Sequence, residues 1–227
     1  MSAFKKLLLP LIFATAFFSG CATMAEADSW LPEEEAQHRV EGEKLKPIQS
    51  KLIAATDEYL GRTEGVLKAF GRSYYLDCSG FLMAVYYTAG INLEKCYSGY
   101  EGNGVKRLYS CLRDEKLIYN AKIPAVGDLI FWDNTYDRNE DGLFNDYFSH
   151  VGMVVDVASD GTITYAHHNY RQGIVLEKMN LFYPHDREYN SPMRMLGSPP
   201  APNGQSLSSE LVRVFARAWK LPKSFWR

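Results

Sequence analysis

The chain has 227 residues, 46% of them hydrophobic, and a formal net charge of −2. That length and composition fit one well-buried globular domain with additions at its ends, and they exclude a disordered chain. The near-neutral balance offers nucleic acid or a polybasic membrane surface no electrostatic footprint.

Residues 1–20 read as a signal segment. Lys5 and Lys6 precede an apolar run over 7–18 that is too short to span a bilayer, and Ser19 and Gly20 then stand before Cys21. The small-residue approach to a cysteine resembles the lipobox of bacterial lipoproteins. That resemblance implies cleavage before Cys21 and lipidation of Cys21. With Ala22 next, it also implies an anchor in the outer membrane, facing the periplasm. More than one acyl chain makes such an anchor stable. Residues 21–45, acidic at Glu33, Glu34 and Glu35, form the expected lipid-anchored tether. The main domain is expected over 46–198, and a linker with a C-terminal amphipathic helix over 199–227.

From Pro47, the apolar residues Ile48, Leu52, Ile53 and Leu60 predict an opening helix that ends near Gly61. The next helix begins at Asp77-Cys78-Ser79-Gly80-Phe81. Phe81, Leu82, Val85, Tyr86 and Ala89 recur at helical spacing, and Gly90 supplies a stop. Asp77 is the expected N-cap, which puts Cys78 among unpaired N–H groups at the positive end of the helix dipole. Such a setting favours thiolate, and the N–H groups of Cys78 and Ser79 can receive an oxyanion.

A glycine-rich loop (Gly99, Gly102, Gly104) leads to a helix carrying Val105, Leu108 and Leu112. Short apolar strands follow at Gly127-Asp128-Leu129-Ile130-Phe131-Trp132, over 151–157, over 162–167 and over 173–179, with Asp160-Gly161 as a hairpin signal. Helices first and an antiparallel meander after predict an α+β domain. Leu207, Leu211, Val212, Phe215 and Trp219 mark the expected last helix.

Four cysteines occur: Cys21, Cys78, Cys96 and Cys111. With Cys21 lipidated, Cys96 and Cys111 form the candidate disulfide in an exported protein, which leaves Cys78 single and flagged as reactive. A cysteine nucleophile needs a base and a group to orient that base. His38 lies in the tether and His185 in a polar loop. His150 opens a strand in His150-Val151-Gly152, with Gly152 on its face and clearing space for a helix end. The orienting group belongs on the neighbouring strand. A two-residue Asp160-Gly161 turn puts His167 on the face of His150, whereas a three-residue turn would choose His168.

These pieces resemble the NlpC-type cell-wall cysteine peptidases, which are papain-like peptidoglycan hydrolases. The resemblance rests on Asp77-Cys78-Ser79-Gly80-Phe81, Gly127-Asp128-Leu129-Ile130-Phe131, His150-Val151-Gly152, and Tyr165-Ala166-His167 with Gly173-Ile174, over about residues 48–180. It implies a papain-like core with the nucleophile at a helix N-terminus packed on an antiparallel sheet. Cys78 would be the nucleophile, His150 the base and His167, in preference to His168, its orienting partner. The implied substrate is peptidoglycan, cut at a stem-peptide amide between γ-D-glutamyl and diaminopimelyl residues through a thioester. The expected ground state pairs a Cys78 thiolate with protonated His150. No cofactor is required, and the expected partners are peptidoglycan and the membrane, with no nucleic acid. The alternatives are a non-hydrolytic wall-binding lipoprotein, or an amidase or acyltransferase on the same fold. The family's tyrosine and paired glycines have no counterpart in Thr63-Glu64-Gly65-Val66-Leu67-Lys68.

One further motif stands apart. Asp137, Asn139 and Asp141, with Gly142 in sixth place, match the start of an EF-hand-like calcium loop, and Asn145 or Asp146 stands in for the missing final glutamate. The competing reading is a solvated polar loop.

Overall fold

The computed structural model describes residues 44–227. The signal segment, Cys21, almost all of the tether and His38 lie outside the described residues. Helix α1 (Pro47–Asp57) opens with proline at its first turn, where the missing N–H costs nothing. The side chain of Gln49 accepts from the Lys46 N–H and donates to the Val126 carbonyl, both at 2.8 Å, tying α1 to the sheet's approach.

A hairpin not expected from the sequence follows: β1 (Val66–Ala69) and β2 (Arg72–Tyr75), antiparallel around Phe70-Gly71. Both turn residues have positive φ, the signature of the tight turns that suit strand twist. The predicted Cys helix is α2 (Cys78–Ala89), ended by Gly90 at φ 107°. Every residue from Phe81 to Tyr87 is buried, so α2 is the central helix of the molecule, apolar all round. A 3₁₀ turn (Leu93–Tyr97) and α3 (Gly104–Asp114) come next, joined by a disulfide between Cys96 and Cys111.

The main sheet contains β3 (Ile118–Tyr119), β4 (Leu129–Trp132), β5 (His150–Val157), β6 (Ile163–Asn169), β7 (Gly173–Met179) and β8 (Val212–Ala216). Its order is β3-β8-β4-β5-β6-β7, antiparallel throughout. The protein is thus an α+β fold with helices and an antiparallel sheet, consistent with a papain-like architecture. One face of the sheet gathers Ile130, Trp132, Val154, Ile163, Tyr165 and Met179 into a core closed by Leu211 and Phe215. On the other, Phe131 meets Tyr109 of α3 edge-on at 5.9 Å, and Tyr86 of α2 donates to the Gly127 carbonyl at 2.6 Å.

The C-terminus corrects the expectation. Only Ser208–Leu211 is α-helical (α4), Val212–Ala216 enters the sheet between β3 and β4, and Trp219 lies in a 3₁₀ turn, Ala218–Lys220. The apolar spacing of Leu211, Val212 and Phe215 fits one face of a helix, but the β-branched Val212 and Val214 favour a strand, and the open edge of β4 takes it. The domain therefore does not end at residue 198, because its sheet is completed beyond that point. Asp128, fully buried, accepts from Ala125 N at 2.8 Å, from Trp219 Nε1 at 2.7 Å and from the Tyr119 hydroxyl, linking β3, β4 and the turn after β8. The Gly127-Asp128 pair is thus a structural clasp.

Candidate active site

Asp77 caps α2 as its sequence position predicts. Its Oδ1 accepts from the Gly80 N–H at 2.7 Å and from the Ser79 hydroxyl at 2.9 Å. Gly80 is required on spatial grounds, since a Cβ there would lie 2.2 Å from the Tyr75 carbonyl oxygen. That contact seats the first turn of α2 against the end of β2 and fixes where Cys78 emerges. The Cys78 thiol has the backbone N–H groups of Cys78, Ser79 and Val151 beside it. Val151 directly follows His150, so the Cys78 thiol reaches the backbone at the start of β5, one residue from the proposed base.

His150 is delivered by a stitched loop. Ser149 N donates to the Trp132 carbonyl at 3.0 Å, Phe148 N to Asp133 Oδ1 at 2.7 Å, and Asn134 N to the Asp146 carbonyl at 2.8 Å. The Arg213 guanidinium pairs with Asp133 and lies 4.6 Å over the Phe148 ring. Phe148 itself adopts φ 53°, a left-handed conformation that a bulky residue rarely takes. In register, His150 sits across from Trp132, whose ring is 5.7 Å away.

His150 Nε2 and His167 Nδ1 are 2.8 Å apart, so the structure pairs His150 with His167. The route to that pairing differs from the expected one. Ala158 and Thr162 flank a three-residue loop, Ser159-Asp160-Gly161, which by itself would have turned His168 toward His150. A β-bulge between Val154 and Asp156 then shifts the register by one, giving Val154↔Tyr165 and Met153↔Ala166. Carried one pair further, this sets Gly152 opposite His167. A Cβ on Gly152 would meet the Ala166 carbonyl oxygen at 2.9 Å, Trp132 at 3.0 Å and the His167 Cβ at 3.2 Å. The glycine therefore clears room for Trp132 and His167, and not for the end of the Cys helix.

The electrostatics also correct the expected thiolate. Packing around the sulfur, reinforced by the nearby Asp77 carboxylate, pushes the Cys78 thiol up to about 12 despite the helix N–H groups that pull it down. Burial holds His150 well below 6.5, aided by His167 and then His168. Each shift favours the neutral form of its own group, because desolvation outweighs the pull of the helix terminus on Cys78 and disfavours a charged His150. His168 is half-buried and is also held low by burial, with Asp77 acting against the shift.

Sequence reasoning missed three neighbours. The buried Tyr97 hydroxyl and Ser79 both crowd Gly104, where a Cβ would lie 2.8 Å and 2.9 Å from them. Tyr136 lies within electrostatic reach of Cys78 and Asp77. Glu177, on β7, stands 3.2 Å from His167. None lies in a recognisable local motif, and only the alternation of β7 hinted at Glu177. Tyr59 and Tyr74 are buried, whereas Tyr75 is exposed beside the nucleophile turn. His185 is exposed and bonded to Glu210 at 2.9 Å, away from this site.

The candidate calcium residues Asn139, Asp141 and Asn145 come together and bond to one another, while Asp137 Oδ1 and both Asp146 oxygens are buried without hydrogen-bond partners. Asp137 Oδ2 accepts from Gly142 N at 2.9 Å, and Asp141 Oδ1 accepts from Leu143 N at 2.8 Å. The side-chain amides of Asn139 and Asn145 donate to Asp141 Oδ2 at 2.9 and 3.0 Å. Among the described residues, no group of three or more His, Cys, Asp or Glu side chains is arranged to hold a metal ion. Nor is any helix of the described residues long and apolar enough to cross a membrane.

No curated protein and no solved structure matches the chain. Residues 69–169, from the last residue of β1 to the last of β6 and including Cys78, His150 and His167, match the CHAP domain, a cysteine- and histidine-dependent amidase and peptidase domain associated with peptidoglycan hydrolysis.

Proposed function

We propose that this protein is a lipid-anchored cysteine hydrolase that cuts a stem-peptide amide of peptidoglycan, with Cys78, His150 and His167 as its working set. The observation that carries the reading is the 2.8 Å His150–His167 bond at the point where the Cys78 thiol meets β5. The CHAP match supports a peptidoglycan amidase or peptidase, and the resemblance to NlpC-type peptidases narrows the bond to γ-D-glutamyl-diaminopimelate.

The proposed reaction uses His150 as base and His167 as its orienting partner. Bonding His150 Nε2 to His167 leaves His150 Nδ1 for the thiol. As the sulfur attacks the amide carbonyl carbon, the thiol proton passes to Nδ1, and the carbonyl π electrons move onto oxygen. Backbone N–H groups of Cys78 and Ser79 receive that oxyanion. Collapse breaks the C–N bond, and His150 returns its proton to the departing amine. Water, deprotonated by His150, then attacks the thioester and releases the carboxylate and the thiol. A non-hydrolytic binder would have no use for a histidine pair placed beside an unbridged cysteine.

Cleavage before Cys21, with acylation there, would hold the domain at the periplasmic face of the outer membrane. Calcium takes no part in this chemistry. A structural ion in the 137–146 loop would find Asp137 Oδ1 and both Asp146 carboxylate oxygens buried without hydrogen-bond partners, and isothermal titration without calcium uptake removes it.

The deciding experiment incubates the mature protein and its Cys78→Ala variant with defined muropeptides, read by mass spectrometry. Cleavage at one amide by the wild type alone is expected. Cleavage by both would falsify the nucleophile, and cleavage by neither would favour the binder.

A further inference from the structure

The sheet face that carries the core turns polar at one end, where His150, His167 and Glu177 follow one another across β5, β6 and β7. We propose that Glu177 is a positioning residue, which sets the tautomer of both histidines so that His150 presents a bare Nδ1 to the Cys78 thiol. The inference rests on the proposed hydrolytic role of Cys78 and His150. Glu177 lies beyond residues 69–169, so the family match does not assign it.

Glu177 pairs in register with Tyr165, one side chain away from His167 on the same face. The Tyr165 hydroxyl donates to its Oε2 and the Asn169 amide to its Oε1, each at 3.1 Å. Burial would raise this carboxyl, but the polar groups that face it, the His167 ring first and then Asn169 and Tyr165, outweigh it and keep Glu177 below the usual range. Glu177 is therefore ionised and can only accept.

His167 is 3% exposed, and its Nε2 lies 3.2 Å from Glu177 Oε2, within ion-pair reach though not in line for a strong hydrogen bond. No other partner satisfies that nitrogen. In a neutral ring that faces a carboxylate, Nε2 carries the proton, which leaves His167 Nδ1 as an acceptor. The 2.8 Å bond then requires His150 Nε2 to be the donor. A neutral His150 protonated on Nε2 has its lone pair on Nδ1, the form that can take a thiol proton. The opposite tautomer would aim an N–H at the thiol and could not act as base.

Histidine tautomers are read directly by long-range ¹H–¹⁵N correlation on the full chain labelled with ¹⁵N-histidine. The wild type should show His150 and His167 each protonated on Nε2 alone. Glu177→Ala should bring a second tautomer of His150 into the spectrum and lower kcat about tenfold or more with KM unchanged. Glu177→Asp should restore part of both. A wild-type His150 protonated on Nδ1 would overturn the proposal, and so would an unchanged tautomer in a folded Glu177→Ala. If the Ala variant fails to fold, the wild-type spectrum still decides. Because the spectrum needs no turnover, correct tautomers with no muropeptide cleavage would sink the hydrolase reading and leave the Glu177 pairing standing.

Discussion

Two influences compete at Cys78. The helix terminus draws its thiol toward ionisation, while the packed surroundings oppose it, and the second prevails to about 12. His150 is displaced in the matching sense, held well below the ordinary 6.5. A general base works deprotonated, so a lowered value extends its range toward acid. We expect kcat/KM to stay level from about pH 8 down through 6.5 and to fall only below it, as the free imidazole takes up a proton. A pH–rate profile whose acid limb lies at or above 6.5 would contradict the neutral pair. Stability should move in the same direction. Below 6.5 the unfolded chain binds a proton that folded His150 refuses, so the denaturation midpoint should drop as pH falls through that value. The two adjacent histidines should also separate cleanly. His167→Ala removes the partner of the base and should cost at least about a hundredfold in kcat, whereas His168→Ala should stay within a few-fold when assayed on the same muropeptide.

At the scale of elements, the site depends on two close approaches that only glycine permits. Gly80 lets α2 abut the Tyr75 carbonyl, and Gly152 lets β6 and Trp132 close over β5. Gly80→Ala forces a Cβ against backbone that cannot swing aside. It should destabilise by about 1–3 kcal/mol, read as a lower denaturant midpoint at unchanged slope, and should lower kcat by moving Cys78. An unperturbed Gly80→Ala protein would show that the start of α2 is more tolerant than its contact with β2 implies. The bulge in β5 works with the hairpin loop. Loop length alone would select His168, and the extra residue in β5 restores His167. Neither device selects His167 by itself.

For the molecule as a whole, the C-terminal segment belongs to the catalytic domain. Val214, Phe215 and Ala216 of β8 are buried between β3 and β4, and Trp219 bonds to Asp128. A chain ending at residue 198 should therefore show no cooperative unfolding transition by circular dichroism, whereas the full domain should. A cooperative transition in the shortened chain would mean that β8 is an accessory strand.

The amino-acid sequence by itself determined the local features: α2 with its Asp77 cap and Gly90 stop, the strands from β4 to β7, and Cys78 and His150, with His167 or His168, as the residues worth joining. Each is written in spacing, capping and turn chemistry that act within a dozen residues. Tertiary structure decided what depends on distant partners. It placed β8 in the sheet because β4 had an open edge, and it settled His167 over His168 through a bulge that leaves no sequence mark. It kept the thiol neutral because packing outweighed the helix terminus, and it brought Glu177 to His167 from a strand whose pattern reads only as half-exposed. Burial and register are properties of the assembled sheet, and no local pattern encodes them.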